Sequence, residues 1–233
     1  MMQSSTADLA YGVNMRRIVL FGCGGLALEV AEYLAEQEKC FEVCDIVSER
    51  MDRFADIAGV LRRNPRPHAS VDSVEELAAK EFLVCVGDPV GRHKIFRGLR
   101  SKGARFGRIV HPTAWVASSS SVGDGVIVGP FAYIGPRSVV GDNCLLNVRA
   151  TVGHDVVLGA SVVLSPHVDV NGGAKCGDAT MLGAGVIVDP RVGIGACSKV
   201  SSGSVVKRSF DAGFLLVGNP ANGRRMFEVL EGG

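Results

Sequence analysis

The chain has 233 residues, enough for two modest domains with separate cores. Its 25 basic and 24 acidic side chains nearly cancel, which argues against a broad electrostatic footprint for nucleic acid or an anionic membrane. No apolar run reaches the length of a membrane span, and the seven cysteines form no CxxC pair or zinc spacing, so a cytoplasmic protein with reduced core cysteines and no metal is expected.

Residues 1–14 carry little periodic apolar content and are expected to fray. Ile18, Val19, Leu20 and Phe21 then form a compact apolar run, the pattern of a buried parallel strand, followed at once by Gly22, Cys23, Gly24 and Gly25 and a helical pattern over 26–37. Strand, glycine-rich turn and helix open a nucleotide-binding α/β unit, in which helix N-terminal amides face an anion. The GxGG here falls short of a full GxGxxG, and a turn that merely lets strand and helix pack is an equal reading of it. A second strand over 42–47 ends at Ser48 and Glu49, and a third over 82–86 ends at Gly87 and Asp88. Ligands of open parallel sheets gather at such carboxyl ends. With helical patterns at 71–79 and 89–102, residues 15–108 make a small Rossmann-like domain of three or four strands, too small for a full dinucleotide fold.

Ile109, Val110, His111 and Pro112 form a joint, with His111 expected to be structural. From 116 to 205 the sequence then repeats every six residues without insertion or deletion. The first position of fifteen successive hexads is aliphatic from Val116, Val122 and Val128 through to Val200, with Cys176 the one exception. The fifth position is always small or β-branched, and the second is most often glycine, as at Gly123, Gly129, Gly135 and Gly141. A period of six fits neither a helix nor an ordinary strand. It fits a short strand and a sharp turn, with glycine supplying the turn's unusual backbone angles, and three such faces close one triangular coil of a parallel β-helix over 109–205. A C-terminal extension over 206–233 holds extended segments at 205–208 and 214–217, then Gly218, Asn219, Pro220 and Ala221, and a short helix ending near Glu231.

The ordered set of glycine-rich turn, joint, hexad coil containing His154 and Asp155, and closing Val217 to Ala221 resembles the sugar acyltransferases of the sialic acid O-acetyltransferase group, over residues 16–226. The resemblance implies a left-handed coil and a homotrimer with active sites between subunits. It also implies an N-terminal domain that holds the nucleotide of a UDP-, GDP- or dTDP-linked amino sugar, and acetyl-CoA lying along the coil. By position His154 is the catalytic base, and one coil of eighteen residues further on Gly172 offers its amide to the thioester carbonyl. Asn147 falls near the sugar's reacting end, Ser48 and Glu49 where an acidic pair faces the nucleotide, and Gly218, Asn219, Pro220 and Ala221 join Gly172 on the acetyl-CoA side. Gly22, Gly24, Gly25, Gly87 and Asp88 complete the substrate side.

That chemistry suits these residue types. A sugar amine must lose a proton as it attacks, and an imidazole is a suitable acceptor near neutral pH. A fixed backbone amide can meet the developing negative charge on the thioester oxygen without reorganising. The expected function is therefore N-acetylation of a nucleotide-linked amino-deoxy sugar by direct transfer, with sugar O-acetylation and a catalytically silent nucleotide-sugar-binding trimer as the alternatives. Gly153 stands where the group often has a glutamate before the histidine, so the residue that orients the imidazole is missing or replaced, and Asp155 is expected to project from a different side of the turn. His68 and His93 read as solvated surface residues.

Overall fold

A computed structural model describes residues 15–61 and 63–226. The expected frayed segment over 1–14 and the helix expected to end near Glu231 lie outside the described residues. The N-terminal part is an α/β domain whose five strands, β1 (Arg16–Phe21), β2 (Phe41–Val47), β3 (Arg66–His68), β4 (Glu81–Val84) and β5 (Arg105–Phe106), are all parallel in the order β3-β2-β1-β4-β5. Ile18, Val19 and Leu20 of the central strand are wholly buried, as a strand covered on both faces requires. Helices α1 (Gly25–Ala35), α2 (Phe54–Leu61) and α3 (Pro89–Ser101) complete the unit.

Two expectations are corrected here, and one helix is added. The sheet has five strands rather than three or four, because the short β3 and β5 have too few residues to show a period. The helical pattern at 71–79 resolves into two 3-10 turns, Val71–Ser73 and Leu77–Ala79. Helix α2 spans only eight residues, too short for its spacing to stand out. Under the sheet, Asp45 and Lys80 are fully buried and paired at 2.6 Å, and Asp45 also accepts from Arg66 and His68, each at 2.9 Å. His68 and His93 are not free surface groups: His68 binds Asp45 and Ser73, and His93 Nδ1 lies 3.2 Å from Ser161 Oγ.

The hexads form a triangular parallel β-helix. Face one stacks strands from Ile109–Val110 and Ile127–Val128 to Lys199–Val200 and ends in Phe214–Val217; face two runs from Trp115–Val116 to Val205–Val206; face three runs from Ser121–Val122 to Gly193–Ile194. Neighbouring strands are eighteen residues apart in register, for example Leu145 against Val163 and Thr151 against Asp169. The first and fifth hexad positions fill one apolar interior that includes Val128, Leu146, Val156, Leu164 and Val170.

The turn does not work as the glycine pattern suggests. From residue 122 onward the residue with left-handed backbone is the fourth of the hexad, and it is usually not glycine: Phe131, Arg137, Asn143, Arg149, Asp155, Ser161 and His167 all have φ between 57° and 59°. Such a conformation costs roughly 1 kcal/mol per residue outside glycine. It is held by stacking, since each of these amides donates one coil back, as Asp155 does to the Pro136 carbonyl at 3.0 Å and His167 to that of Val148 at 3.1 Å. Glycine at the second position serves close approach instead. A Cβ on Gly135 would lie 2.7 Å from the carbonyl carbon of Gly153 in the next coil.

Face one is where the two parts meet. Its sixth hexad positions Ile127, Leu145 and Val163 are apolar and share one buried cluster with Leu26, Ala27 and Val30 of α1. Arg92 of α3 is fully buried at this junction, donating to the carbonyls of Asn143 (2.6 Å), Val84 and Val86 (3.2 Å), while Asn143 Nδ2 returns a bond to the Arg92 carbonyl at 3.1 Å. His111 is buried as a structural residue, its ring edge-on to Tyr33 and its Nε2 3.0 Å from Glu36. The antiparallel pair Phe214–Val217 and Asn222–Arg225 closes the far end of the coil.

Candidate active site

The glycines of the turn after β1 differ in what surrounds them. Gly22 (φ +114°) is a packing glycine, since a Cβ there would lie 2.7 Å from the Cys85 carbonyl oxygen. Gly24, Gly25 and Gly87 meet nothing within 4 Å, so their backbone faces open space. Helix α1 starts at Gly25 with Gly24 as its N-cap and no side chain capping it, which leaves first-turn amides available to an anion.

Two cavities flank that turn. One, of about 510 Å³, is lined by Gly22, Ser48, Glu49, Arg50, Ser70 and Val86 among others. The other, of about 450 Å³, is lined by Gly25, Leu26, Glu29, Gly87, Asp88, Asn147, Ser165 and Met181, so the β-helix forms one of its walls. The structure thus brings Ser48 and Glu49 together with Gly22, and Asn147 together with Gly25, Gly87 and Asp88. Asp88 also caps α3, accepting from the Gly91 amide at 2.7 Å, and Ser48 Oγ accepts from the Arg50 amide at 3.2 Å.

His154 lies elsewhere on the same chain. Asn147 follows the face-one strand Leu145–Leu146, at the corner between faces one and two, whereas His154 follows Thr151–Val152, at the corner between faces two and three. The breadth of face two separates them. Gly172 shares the corner of His154, one coil on, and a Cβ on it would sit 2.6 Å from His154 Nε2 and 2.7 Å from Cε1. The ring therefore lies directly over the Gly172 Cα. The Gly172 amide has no acceptor among the described residues, as is also true of the amides at the equivalent positions 142, 154 and 178, while those at 124, 148 and 160 are taken by Asp142, Asn147 and Asp178 side chains. Gly218, Asn219, Pro220 and Ala221 are not beside Gly172: the Gly218 carbonyl and the Ala221 amide bond to Val205 of face two, where the chain leaves face one.

Asp155 is the correction of most consequence. It does not project away from the histidine, because its left-handed backbone (φ 58°) turns the carboxylate back, and His154 Nδ1–H donates to Asp155 Oδ2 at 2.6 Å. A carboxylate only accepts, so the proton of a neutral ring sits on Nδ1 and Nε2 keeps its lone pair above Gly172. The Arg137 guanidinium, and after it His154, hold the Asp155 carboxyl down to about 2. Arg137 makes a bidentate pair with it, both bonds 2.7 Å.

The sequence reading passed over Arg137, although stepping back eighteen residues from Asp155 reaches it. It also missed a groove of about 780 Å³ over face three, lined by Gly177, Gly195 and Phe210 with Lys175 and Arg208 as cations, because its walls come from coils and C-terminal segment together. Among the described residues no three metal-ligating side chains cluster, and no helix is long and apolar enough to cross a membrane.

An α/β domain seated on a hexad-built parallel β-helix, with an imidazole aimed over a glycine at one corner, defines an acyltransferase of the hexapeptide-repeat class. No family model and no curated protein matches the chain. Solved structures do. A histidine-to-asparagine variant of perosamine N-acetyltransferase from Caulobacter crescentus, in complex with CoA and GDP-perosamine, is 31% identical, with 89% of this chain and 96% of that one covered and a TM-score of 0.78. The acetyltransferase domain of PglB from Neisseria gonorrhoeae, in complex with acetyl coenzyme A, is 25% identical over 90% of this chain and all (100%) of that one, with a TM-score of 0.81. WeeI from Acinetobacter baumannii, 22% identical over 90% of this chain and 100% of its own with a TM-score of 0.75, shares the fold. The chain belongs to the hexapeptide-repeat sugar acyltransferase family.

Proposed function

We propose that this protein transfers acetyl from acetyl-CoA to the amino group of a nucleotide-linked amino-deoxy sugar, directly, with His154 as general base. The observation that carries the reading is the free Nε2 of His154 over Gly172, with the tautomer set by Asp155. In this reading Nε2 takes the proton from the amine as nitrogen attacks the thioester carbonyl, and the unpaired Gly172 amide donates to the carbonyl oxygen as it gains charge. Thiolate leaves as CoA. No side chain need be acylated.

Residues 15–108 act in this reading as a Rossmann-like nucleotide-sugar domain, supported by the parallel order β3-β2-β1-β4-β5 and by ligand space at the strand ends. Ser48 and Glu49 face the nucleoside, the turn Gly22 to Gly25 the pyrophosphate, and Asn147, Gly87 and Asp88 the sugar. Residues 109–205 form a left-handed coil for transfer, extended by 206–233. The cavity with Asn147 and the corner with His154 lie on opposite edges of face two, which supports a homotrimer whose site pairs one chain's sugar cavity with its neighbour's His154. Gly218 to Ala221 then join Gly172 on acetyl-CoA across the same boundary, and Lys175 and Arg208 supply cations of the kind a phosphate-rich co-substrate needs. The protein works in the cytoplasm, where both substrates are made.

CoA thiol release with acetyl-CoA and GDP-, UDP- and dTDP-linked amino-deoxy sugars, beside matched hydroxy sugars, tests the reading. Turnover with one amino sugar that vanishes in His154→Ala is expected. Acetyl recovered only on oxygen, or tight binding of both substrates without thiol release, overturns it.

A further inference from the structure

The corner that carries His154 holds a second residue with a task. Along it the fourth hexad position reads Arg137, Asp155, Gly173 and Arg191, one per coil. Arg137 and Asp155 both have left-handed backbone (φ 58° each), so their side chains leave the corner in the same direction and meet in register. Arg137 Nε donates to Oδ1 of Asp155 and Nη2 to Oδ2, both at 2.7 Å, and that same Oδ2 accepts from His154 Nδ1 at 2.6 Å. The imidazole has no other hydrogen-bond partner among the described residues.

As a stability device this ion pair is weak, since Arg137 and Asp155 side chains are 68% and 40% exposed and such pairs contribute little. As a geometric device it is specific. A lone exposed aspartate next in sequence to a histidine rotates freely, and few of its rotamers bring an oxygen to Nδ1. A planar guanidinium gripping both oxygens removes that freedom. Gly153, which has no side chain, leaves Asp155 as the residue hydrogen-bonded to the ring. The next coil presents Asn171, whose side-chain amide donates to the Val188 carbonyl, then Gly172 and Gly173, and the remaining charges on the corner, Asp189 and Arg191, are two coils away, so Arg137 is the cation bonded to this carboxylate.

We propose that Arg137 is a positioning residue for acetyl transfer: it locks Asp155 so that Asp155 keeps His154 in the Nδ1–H tautomer, with Nε2 directed over Gly172. The proposal rests on His154 being the base, and its test separates the two ideas. Imidazole tautomers are read by nitrogen-15 NMR of the full-length protein, where five histidines make the His154 signal assignable through its loss in His154→Asn. Wild type is expected to show the Nδ1–H form, Arg137→Gln a shift of population toward Nε2–H, and Arg137→Lys, which keeps charge but not the fork, an intermediate state. In thiol-release assays Arg137→Gln is expected to lower kcat roughly ten-fold with KM little changed, with partial rescue by lysine. An identical His154 tautomer population in wild type and Arg137→Gln overturns the proposal, whatever the turnover. The tautomer shift without thiol release in any form, wild type included, upholds the positioning role and overturns the proposed transfer.

Discussion

Gly172→Ala is a small change that separates folding from chemistry. A methyl at this position would stand 2.6 Å from His154 Nε2, whereas ordinary contact begins at 3.4 Å, so the ring must retreat by about 0.8 Å, the difference of the two. The retreat is easy, because His154 is the far end of a side chain that is 66% exposed. Gly172 is also absent from the left-handed positions, so alanine meets no backbone strain there and keeps the amide proposed to meet the thioester oxygen. A misplacement of about 1 Å in a catalytic group can cost on the order of a hundred-fold in rate. The variant is therefore expected to melt within about 4 °C of wild type, corresponding to roughly 1 kcal/mol for a chain of this size, while kcat falls by about two orders of magnitude. Thermal melts and steady-state thiol release on the same preparation decide it. Full activity in Gly172→Ala would refute the placement of the base over this glycine, and a large loss of melting temperature would show the glycine to be structural instead.

The other expectations use the same assays. His154→Ala should lower kcat by roughly a hundred- to ten-thousand-fold with an unchanged melt, as loss of a general base at an exposed corner predicts. Arg92→Met should leave the buried carbonyls of Val84, Val86 and Asn143 without their donor and destabilise by about 3 kcal/mol, seen as a lower midpoint in urea. Asp45→Asn should cost roughly 3 kcal/mol by stranding the buried Lys80 ammonium. Burial alone raises the Asp45 pKa, but hydrogen bonds from Lys80 and His68 outweigh it and the net shift is downward. A lowered folded pKa adds stability that is full above the ordinary aspartate range, about 3.9, and fades as pH falls through the folded value. The advantage of wild type over Asp45→Asn in urea midpoint should accordingly shrink only below about pH 4, and an advantage that vanished by pH 6 would contradict the assignment.

The hexad period, the glycine turn after the first strand and the place of His154 eighteen residues before Gly172 were all legible in the chain, because a β-helix writes its registry into the sequence at fixed spacing. Helix α3 and strands β1 and β2 were legible for the same reason: their apolar residues recur locally. The left-handed residue of each turn was not. Phe131, Arg137 and Arg149 have no local preference for such backbone, and only the amide bonds to the coil before them hold it. Asp155 was misdirected on the same ground, since the turn sends its carboxylate back onto the histidine it follows. The buried Arg92 and the Asp45–Lys80 pair join residues 51 and 35 apart, which no period records, and the eighteen-residue spacing that sets Arg137 beside Asp155 does not by itself say where either side chain points.

What the sequence by itself determined is the repeat, and hence the triangular coil. What only the tertiary structure decided is which corner each residue occupies. Asn147 and His154 are seven positions apart along the chain, yet a turn of the triangle puts them on opposite edges of face two. Spacing along a chain measures registry within the coil. Which groups share a cavity depends on how faces close around the core and on what α1 and α3 cover, and those are contacts between residues far apart in sequence.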